Sequence, residues 1–358
     1  MMRSSVVVGL VMVVGGCVAE VGEEATSTTE QGLKCPDYGC GENSPVGGPF
    51  NIRELNKAGN IANSDGVTLL YFQKGTTIYH VDIAGDRVRA LTWFGYQVAL
   101  EHSALAGGYF VLSHPAVNGL PAGTMRLFIT SVDVAGQTFW LGPQTQVESY
   151  ELKYDGAGTV SDPVPACKTP LPGTGIRDTA LDPEGRTWKN RFNAIIFAGD
   201  RYRQGHVVET GTSTNGWFNI ACAGSGPAKL HLNRHTAAST TYGFTSTVAQ
   251  RQAMLRMYAG DFCGDGNAHT VMGTPIRWWS AVGQSSMPIG EFSYESMWSE
   301  TGAMCMDVHR LSNSTNPDYA AFGQAIIDSC HIRKCAEFPD FKNFALYNQY
   351  LLTMSPAH

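Results

Sequence analysis

Cys263 and His269 are the residues whose types could support nucleophilic catalysis. A cysteine nucleophile needs a thiolate, an imidazole within hydrogen-bonding reach and a carboxylate that orients the imidazole. Asp261 or Asp265 would supply that carboxylate, since both flank Cys263 in the stretch GDFCGDG. The chemistry also requires that the sulfur of Cys263 is free. One hypothesis is therefore an exported hydrolase or other enzyme centred on Cys263, His269 and Asp261.

The cysteine content favours a structural role for this cysteine. The cysteines downstream of the amino-terminal segment are even in number and comprise Cys35, Cys40, Cys167, Cys222, Cys263, Cys305, Cys330 and Cys335. An even set in an exported chain predicts disulfides, because the compartment is oxidising. The close pairs Cys35/Cys40 and Cys330/Cys335 are candidates for local bridges, and the other four would then pair among themselves. A free Cys263 would leave another thiol unpaired, so we expect it to be bridged.

Oxygen donors surround Cys263 in a pattern that a calcium loop could use. Asp261, Asp265 and Asn267 alternate with glycines. The EF-hand pattern is not met, since Cys263 stands where an oxygen ligand should be and the closing glutamate is missing. Turn formation explains these residues equally well, because Asp, Gly and Asn tolerate left-handed backbone. We predict no metal and no cofactor, and keep the three residues as weak calcium candidates.

His231 and His235 have a spacing that zinc proteases use on one face of a helix. In those enzymes a glutamate follows the first histidine, but Leu232 occupies that position here. Lys229 and Arg234 nearby also disfavour a bound cation. We therefore expect both histidines to be exposed on the surface and to bind no metal.

The tryptophans are candidates for stacking against glycans or cell-wall polymers, although core packing is their usual role. Trp278 and Trp279 are adjacent in the sequence. Because neighbouring strand residues point to opposite faces, one of this pair could be buried and the other displayed. They are the candidate binding aromatics of the chain.

Short strands separated by glycine-rich turns dominate residues 47–165. Apolar or alternating runs occur at residues 67–72, 76–83, 109–112, 125–129 and 149–154. Such runs, with Gly, Pro and Asn between them, are typical of an antiparallel sandwich or barrel. The pattern continues at residues 192–197 and 216–222.

Helical signals occur only in residues 166–358. A capping box predicts a helix over Thr247–Ala259, with Gly260 as its natural end. Asn-Pro followed by recurring apolar residues predicts another over 316–330, and a last helical stretch is predicted over 341–352. The predicted fold class is therefore α+β, predominantly antiparallel β with a few helices in the C-terminal half, and stapled by disulfides.

Residues 1–17, MMRSSVVVGLVMVVGGC, have the pattern of a lipoprotein signal. Arg3 supplies a positive charge, an apolar run follows, and small residues precede Cys17, the predicted lipid-attachment site. The apolar run is too short to cross a hydrocarbon core of about 30 Å. An ordinary secretory signal, in which Cys17 is incidental, is the alternative. By similarity to other lipoproteins, Val18 after the cysteine indicates the outer membrane.

Composition limits the remaining possibilities. Hydrophobic residues make up 43% of the 358 residues, which is enough apolar surface to fold and excludes disorder over most of the chain. The net charge is −6, so there is no basic surplus and we expect no nucleic-acid partner. Nucleophile-elbow, Walker and dinucleotide motifs are also missing from the sequence.

Several ordered motifs resemble the ADYC-domain family of exported bacterial lipoproteins, which is named for an Ala-Asp-Tyr-Cys motif. Here the motif is GDFC, with Gly260 for Ala and Phe262 for Tyr, and it continues as Gly-Asp-Gly. Three further matching segments are Phe218-x-x-Ala221-Cys222 with Ala228-Lys229, Thr270-x-x-Gly273-Thr-Pro-Ile276, and Glu295-x-x-Trp298 with Gly302-Ala303-x-Cys305. Leu230 replaces a cysteine of many relatives, which leaves the disulfide pattern open. The resemblance implies lineage and location without supplying a reaction.

These features predict a cell-envelope lipoprotein that is a non-enzymatic binding or structural module, and the enzyme centred on Cys263 is the alternative. Its expected partners are the membrane, through the N-terminal lipid, and an envelope polysaccharide or surface protein. We place it at the outer membrane, on the periplasmic or cell-surface face. The predicted regions are the signal (1–17), a flexible tether and lead-in (18–46), a β-rich region (47–165) and an ADYC-like α+β domain (166–358).

Overall fold

A computed structural model describes most of the chain from Pro45 onward. The described residues are 45–117, 119–140, 145–155, 163–167, 193–203, 205–210, 216–242, 245–270, 276–280, 292–310, 325–326, 328–338 and 351–356. The predicted signal, Cys17, the tether and the candidate Cys35/Cys40 bridge lie outside them. The chain separates into units Met1–Gln31 and Gly32–His358, and every described residue belongs to the second.

Nineteen strands make up most of the described fold. In chain order they are β1 (Val46–Gly47), β2 (Phe50–Asn51), β3 (Glu54–Asn56), β4 (Thr68–Lys74), β5 (Thr77–Ala84), β6 (Arg87–Leu91), β7 (Val98–Glu101), β8 (Tyr109–His114), β9 (Gly123–Thr138), β10 (Gln146–Asp155), β11 (Val164–Pro165), β12 (Asn193–Ala198), β13 (Arg201–Arg203), β14 (Val207–Glu209), β15 (Trp217–Cys222), β16 (Arg277–Ser280), β17 (Phe292–Ser299), β18 (Gly302–Met306) and β19 (Leu351–Pro356). The runs predicted from alternation coincide with β4, β5, β8, β9, β10, β12 and β15. The predicted β-rich fold is confirmed.

An 11-stranded sheet forms the centre of the molecule, in the order β3-β15-β12-β10-β9-β8-β4-β5-β6-β7, with β11 paired to β10. A second sheet has the order β16-β19-β17-β18, and β1-β2 and β13-β14 form two-stranded ribbons. The strand pairs are antiparallel. The large sheet takes strands from both of the regions predicted to meet at residue 165, and the domain limits themselves stay a prediction.

Strand β12 shows how the two main cores are arranged. Ile195 and Phe197 belong to a core shared with the helices and the four-stranded sheet, whereas Ala194 and Ile196 belong to the core on the other face. Successive strand residues point to opposite faces, so a continuously apolar strand is buried on both sides. The large sheet is therefore buried on both faces at β12, and one of these faces carries the helices.

Two α-helices pack together on that face. Helix α2 (Val248–Ala259) starts at the predicted capping box, where the Gln250 amide donates to the Thr247 hydroxyl and the Thr247 amide donates to the Gln250 side chain, at 3.2 and 2.8 Å. Helix α1 (Gly226–Leu232) lies outside the predicted helices. Its start carries a readable signal, because Ser225 caps it and Pro227 lies in its first turn. Short 3₁₀ turns occur at His102–Leu105, Ala237–Tyr242 and Cys335–Glu337.

The two later helix predictions have different outcomes. Residues 325–326 and 328–330 are helical, and the rest of the predicted 316–330 helix lies outside the described residues. The predicted 341–352 helix is wrong at its end, where Leu351 and Leu352 begin β19, and residues 341–350 lie outside the described residues. Strand β19 pairs with β16 and β17 in the small sheet, and this tertiary pairing outweighs the high intrinsic helix propensity of leucine.

Among the described residues, three disulfides tie distant parts of the chain together: Cys167–Cys222, Cys263–Cys330 and Cys305–Cys335. The predicted local Cys330–Cys335 bridge is therefore wrong. The expectation that the other four cysteines pair among themselves holds for Cys167–Cys222 and is wrong for Cys263 and Cys305. The Met306 amide donates to the carbonyl oxygen of Arg333 at 2.9 Å, which lays this segment along β18 and brings Cys335 to Cys305, with their Cα atoms 4.7 Å apart. The disulfides are typical of an oxidising, exported environment. Within the described residues, every helix is too short or too polar to cross a membrane.

Candidate functional site

The predicted catalytic residues lie in the turn that follows helix α2. Gly260 ends the helix in the left-handed region, with φ +69°, and the His269 amide donates to the carbonyl oxygens of Ala259 and Gly260 at 3.2 Å. The turn residues 260–266, which we call the motif turn, therefore fold back over the helix C-terminus. Gly264 is required by packing as well as by its φ of +72°, because a Cβ there would overlap the carbonyl oxygen of Thr301.

Asp261 is fully buried and its carboxylate is already engaged. It accepts a hydrogen bond from the Arg256 guanidinium at 2.6 Å and from the Gly266 amide at 3.2 Å. His206 Nδ1 lies 3.5 Å from the same carboxylate. Arg256 also donates to the carbonyl oxygen of Glu300 at 2.9 Å, which links the turn to the end of β17. The carboxylate thus holds the motif turn to α2 and to the β17–β18 connection.

Cys263 is bonded to Cys330, with the two Cα atoms 5.4 Å apart. A sulfur in a disulfide is no nucleophile, because the reactive species is the thiolate. Phe262, beside it, is buried against Trp298 at a ring-centroid distance of 4.8 Å. The residues at the centre of the motif therefore brace the packing between the turn, the small sheet and the Cys330 segment.

Burial lowers the pKa of two imidazoles near the motif turn, His269 and His309. Burial lowers the pKa of His269, the more so because of nearby His206, although Asp265 and Asp261 oppose that shift. Burial, Arg310 and His269 together lower the pKa of His309 to about 3. A neutral imidazole can act as a base only on a group that reaches it, and both rings are buried.

A buried ion pair lies beneath the same region. Glu295 on β17 accepts hydrogen bonds from the Arg310 backbone amide at 3.0 Å and from its guanidinium at 2.7 and 2.9 Å. The Thr353 hydroxyl donates to Glu295 at 2.9 Å and accepts from the Trp298 indole at 2.9 Å. Both charges are almost completely buried, so each depends on the other for stabilisation.

This geometry accounts for the motifs that suggested a family: Asp261 joins the helix end, Cys263 is bridged, and Glu295 and Trp298 share Thr353. A sequence model of the ADYC domain matches residues 110–312, which is more than half of the chain. The chain belongs to the ADYC-domain family. Comparisons with curated proteins and with solved structures found no significant match.

The calcium candidates of the ADYC domain are separated by their own hydrogen bonds. Asp265 accepts from the backbone amide and the side-chain amide of Asn267, both at 2.9 Å, whereas Asp261 is bound to Arg256. A guanidinium at the first oxygen donor repels a cation at that point. Among the described residues, no group of three or more His, Cys, Asp or Glu side chains is arranged to hold a metal ion.

The prediction that His231 and His235 are exposed is wrong, since both are buried in the ADYC domain. His231 lies in the last turn of α1, stacks on Phe197 at 4.5 Å and hydrogen-bonds Thr236 at 2.8 Å. His235 lies beyond the helix, so the two are not one helical face. Its Nδ1 hydrogen-bonds the Asn233 carbonyl at 2.6 Å, and burial lowers its pKa to about 4. Spacing alone could not reveal this burial, because it is produced by α1 packing on the sheet.

The candidate binding aromatics differ in exposure. Trp278 is buried and lies edge-on to His235 at 5.5 Å, whereas Trp279 is half-buried with the Arg277 guanidinium 4.6 Å from its ring centroid. Within the part of the chain that the structure describes, the most exposed aromatics are in the β6–β7 connection at Trp93, Phe94 and Tyr96. Three aromatics within TWFGYQ were a readable signal that sequence reasoning passed over.

Proposed function

We propose that this ADYC-domain protein is a cell-envelope lipoprotein that acts as a non-enzymatic binding or structural module. The observation that carries the proposal is the Cys263–Cys330 disulfide, which assigns the central cysteine of the family motif to architecture. The bond between Asp261 and Arg256 supports the same role for the neighbouring carboxylate. The motif is then a structural brace, and binding is a property of the surface that it supports.

The proposed anchor is a lipid on Cys17. The preceding signal pattern and the small residues before this cysteine support it. Several acyl chains would hold the protein stably at the membrane, since two lipid signals already suffice for stable anchoring. The tether would then keep the folded part away from the lipid surface, at the outer membrane and on its periplasmic or cell-surface face. From there the module would bind an envelope polysaccharide or a surface protein.

Metabolic labelling tests the anchor. The full chain is expressed in bacteria with an alkyne fatty acid, and label is measured on the purified protein. We expect label on the parent and on a Cys263→Ser/Cys330→Ser control, and its loss in Cys17→Ser together with loss of membrane association. An unmodified amino-terminal segment in the mature protein contradicts the anchor.

Native alkylation tests the architectural role of Cys263. We expect Cys263 to resist a thiol reagent until the protein is unfolded and reduced, as Cys222 in a fully buried bridge should also do. Rapid labelling of Cys263 in the native protein would contradict the module and favour the alternative, an exported hydrolase centred on Cys263, His269 and Asp261.

A further inference from the structure

The β6–β7 hairpin displays an exposed aromatic surface that the motif turn does not use. Phe94 is 88% exposed, Tyr96 65% and Trp93 48%. We call these three residues, together with His80 on β5, the aromatic platform. Large aromatic side chains contribute most to folding or binding free energy when they are buried. A contiguous apolar patch that stays exposed therefore marks an interaction site. The platform also lies before residue 110, where the family match begins.

The platform is held in one arrangement before any ligand arrives. The His80 ring is nearly parallel to the Trp93 ring, with the centroids 4.0 Å apart and an interplanar angle of 11°. It is also nearly parallel to the Tyr96 ring, with a centroid distance of 4.9 Å and an angle of 23°. Within the connection, the Thr92 amide donates to the carbonyl oxygen of Gln97 at 2.8 Å. The Thr92 hydroxyl also donates to the carbonyl oxygen of Phe94 at 2.8 Å. Rigid rings lose little freedom on binding, which favours affinity.

The backbone fixes the direction of the rings. Tyr96 has φ +50°, a left-handed conformation that a bulky residue rarely adopts. Gly95 before it has φ +84°. Such strain persists only where neighbouring contacts maintain it, and it concentrates at functional sites. Here the contacts are the His80 stack and the Thr92 hydrogen bonds, so the hairpin keeps its aromatic rings outward.

The segment that carries the platform has no excess of either charge. Between residues 68 and 101 the cations are Lys74, Arg87 and Arg89, and the anions are Asp82, Asp86 and Glu101. Asp82 is paired with Arg89 at 3.1 Å and with Lys57, from outside this segment, at 3.3 Å. An anionic lipid surface is recognised by an excess of Lys and Arg, which this hairpin does not have. A neutral ligand complements such a surface best.

We propose that the aromatic platform binds a neutral polysaccharide of the cell envelope. A pyranose ring has a face of C–H groups that stacks on an aromatic ring, while its hydroxyls hydrogen-bond polar groups at the edge. Gln97, which is exposed and follows Tyr96 in the chain, and the Tyr96 hydroxyl are the polar groups available to such hydroxyls. This proposal rests on the envelope location proposed above and names the ligand class and the surface.

Affinity electrophoresis of the full-length chain tests the proposal. Cys17→Ser is used throughout, so that no lipid is attached. The probes are a soluble glucan, a mannan and a galactan, with hydroxyethyl cellulose and carboxymethyl cellulose as a pair matched except for charge. We expect binding to at least one neutral polymer, and no binding to carboxymethyl cellulose.

Substitutions assign that binding to the platform. Trp93→Ser and Tyr96→Asn should each weaken it at least tenfold, and Asn tolerates the left-handed backbone at position 96. The matched control Val134→Ser, at an exposed apolar residue elsewhere, should change it less than twofold. Unchanged urea unfolding shows that the variants are folded.

Three results would overturn the proposal: no retardation by any of the neutral polymers, equal binding by the platform variants, or preference for the charged polymer. Pelleting with phosphatidylcholine vesicles that depends on Trp93 and Phe94 would instead assign the platform to a membrane surface. Self-association lost in the same variants would assign it to a second copy. Lipid labelling at Cys17 is independent of all these outcomes, so the platform can fail while the proposed envelope role stands.

Discussion

The side chains of the motif turn and those of the aromatic platform differ in their exposure to solvent. In the motif turn, Asp261 is buried against Arg256, and Cys263 is bonded to Cys330. In the platform, Phe94 and Tyr96 are directed to solvent by a hairpin that has its own hydrogen bonds. The segment with the most distinctive chemistry in the sequence thus has its side chains in internal contacts, and the hairpin, which carries no recognisable motif, has its aromatic rings exposed. If the platform binds a ligand as proposed, distinctive residue types in a chain need not mark where it acts.

The largest expected effect comes from removing the buried charge of Glu295. Glu295→Gln leaves Arg310 charged, buried and without its carboxylate, which should lower the free energy of unfolding by about 3–5 kcal/mol. Urea unfolding measures the loss. The control Glu101→Gln, at an exposed glutamate, should stay within about 0.5 kcal/mol of the parent. Equal losses of unfolding free energy in the two variants would show that the ion pair does not stabilise the fold.

Removing a disulfide should have the next largest effect. Cys263→Ser/Cys330→Ser opens a span of 67 residues and should cost about 2–4 kcal/mol of unfolding free energy. Cys305→Ser/Cys335→Ser opens a span of 30 residues and should cost about 0.7 kcal/mol less, if loop entropy dominates. Urea unfolding of the two double variants measures the difference in their unfolding free energies. Loss of polysaccharide binding in either folded variant would contradict the independence of the platform from the brace.

Acid should destabilise the fold through His235. Its folded pKa of about 4 lies below the ordinary 6.5 because of burial and Arg251, so only the unfolded chain takes up a proton just below pH 6.5. Stability is then complete above pH 6.5 and is lost as the pH falls toward 4. Between pH 6.5 and 5 this amounts to about 2 kcal/mol.

A pair of histidine variants checks that assignment by urea unfolding at pH 6.5 and 5. His235→Gln should reduce the pH dependence, because glutamine does not titrate. His331→Asn, at an exposed histidine, is the matched control. An undiminished dependence in His235→Gln would mean that other groups, such as His309, account for it.

Local patterns predicted the elements that depend on local interactions. Short apolar or alternating runs located β4, β5 and β12, because such runs report which faces of a strand are buried. The capping box located α2 because its hydrogen bonds are local and join residues only three positions apart. These features need no knowledge of the rest of the fold.

Features that depend on distant partners were predicted poorly. The Cys330–Cys335 assignment failed because the parallel bridge between Cys305 and Arg333 decides which sulfurs meet. The burial of His231 depends on packing against Phe197 of β12. The turn after α2 was expected from its glycines. Arg256, which binds Asp261, and Arg310, which binds Glu295, carry no sequence signal that distinguishes them from surface arginines.

The smallest expected effect is on stability at the platform itself. Phe94→Ser replaces a ring that is 88% exposed, so the unfolding free energy should change by no more than about 0.5 kcal/mol. Phe262→Ser is the matched comparison in the motif turn, where loss of a buried ring should cost at least about 3 kcal/mol. Urea unfolding of the two variants measures the contrast directly. A large loss in Phe94→Ser would show that the ring is packed in solution, and the platform would then be part of the core rather than a surface kept free for a ligand.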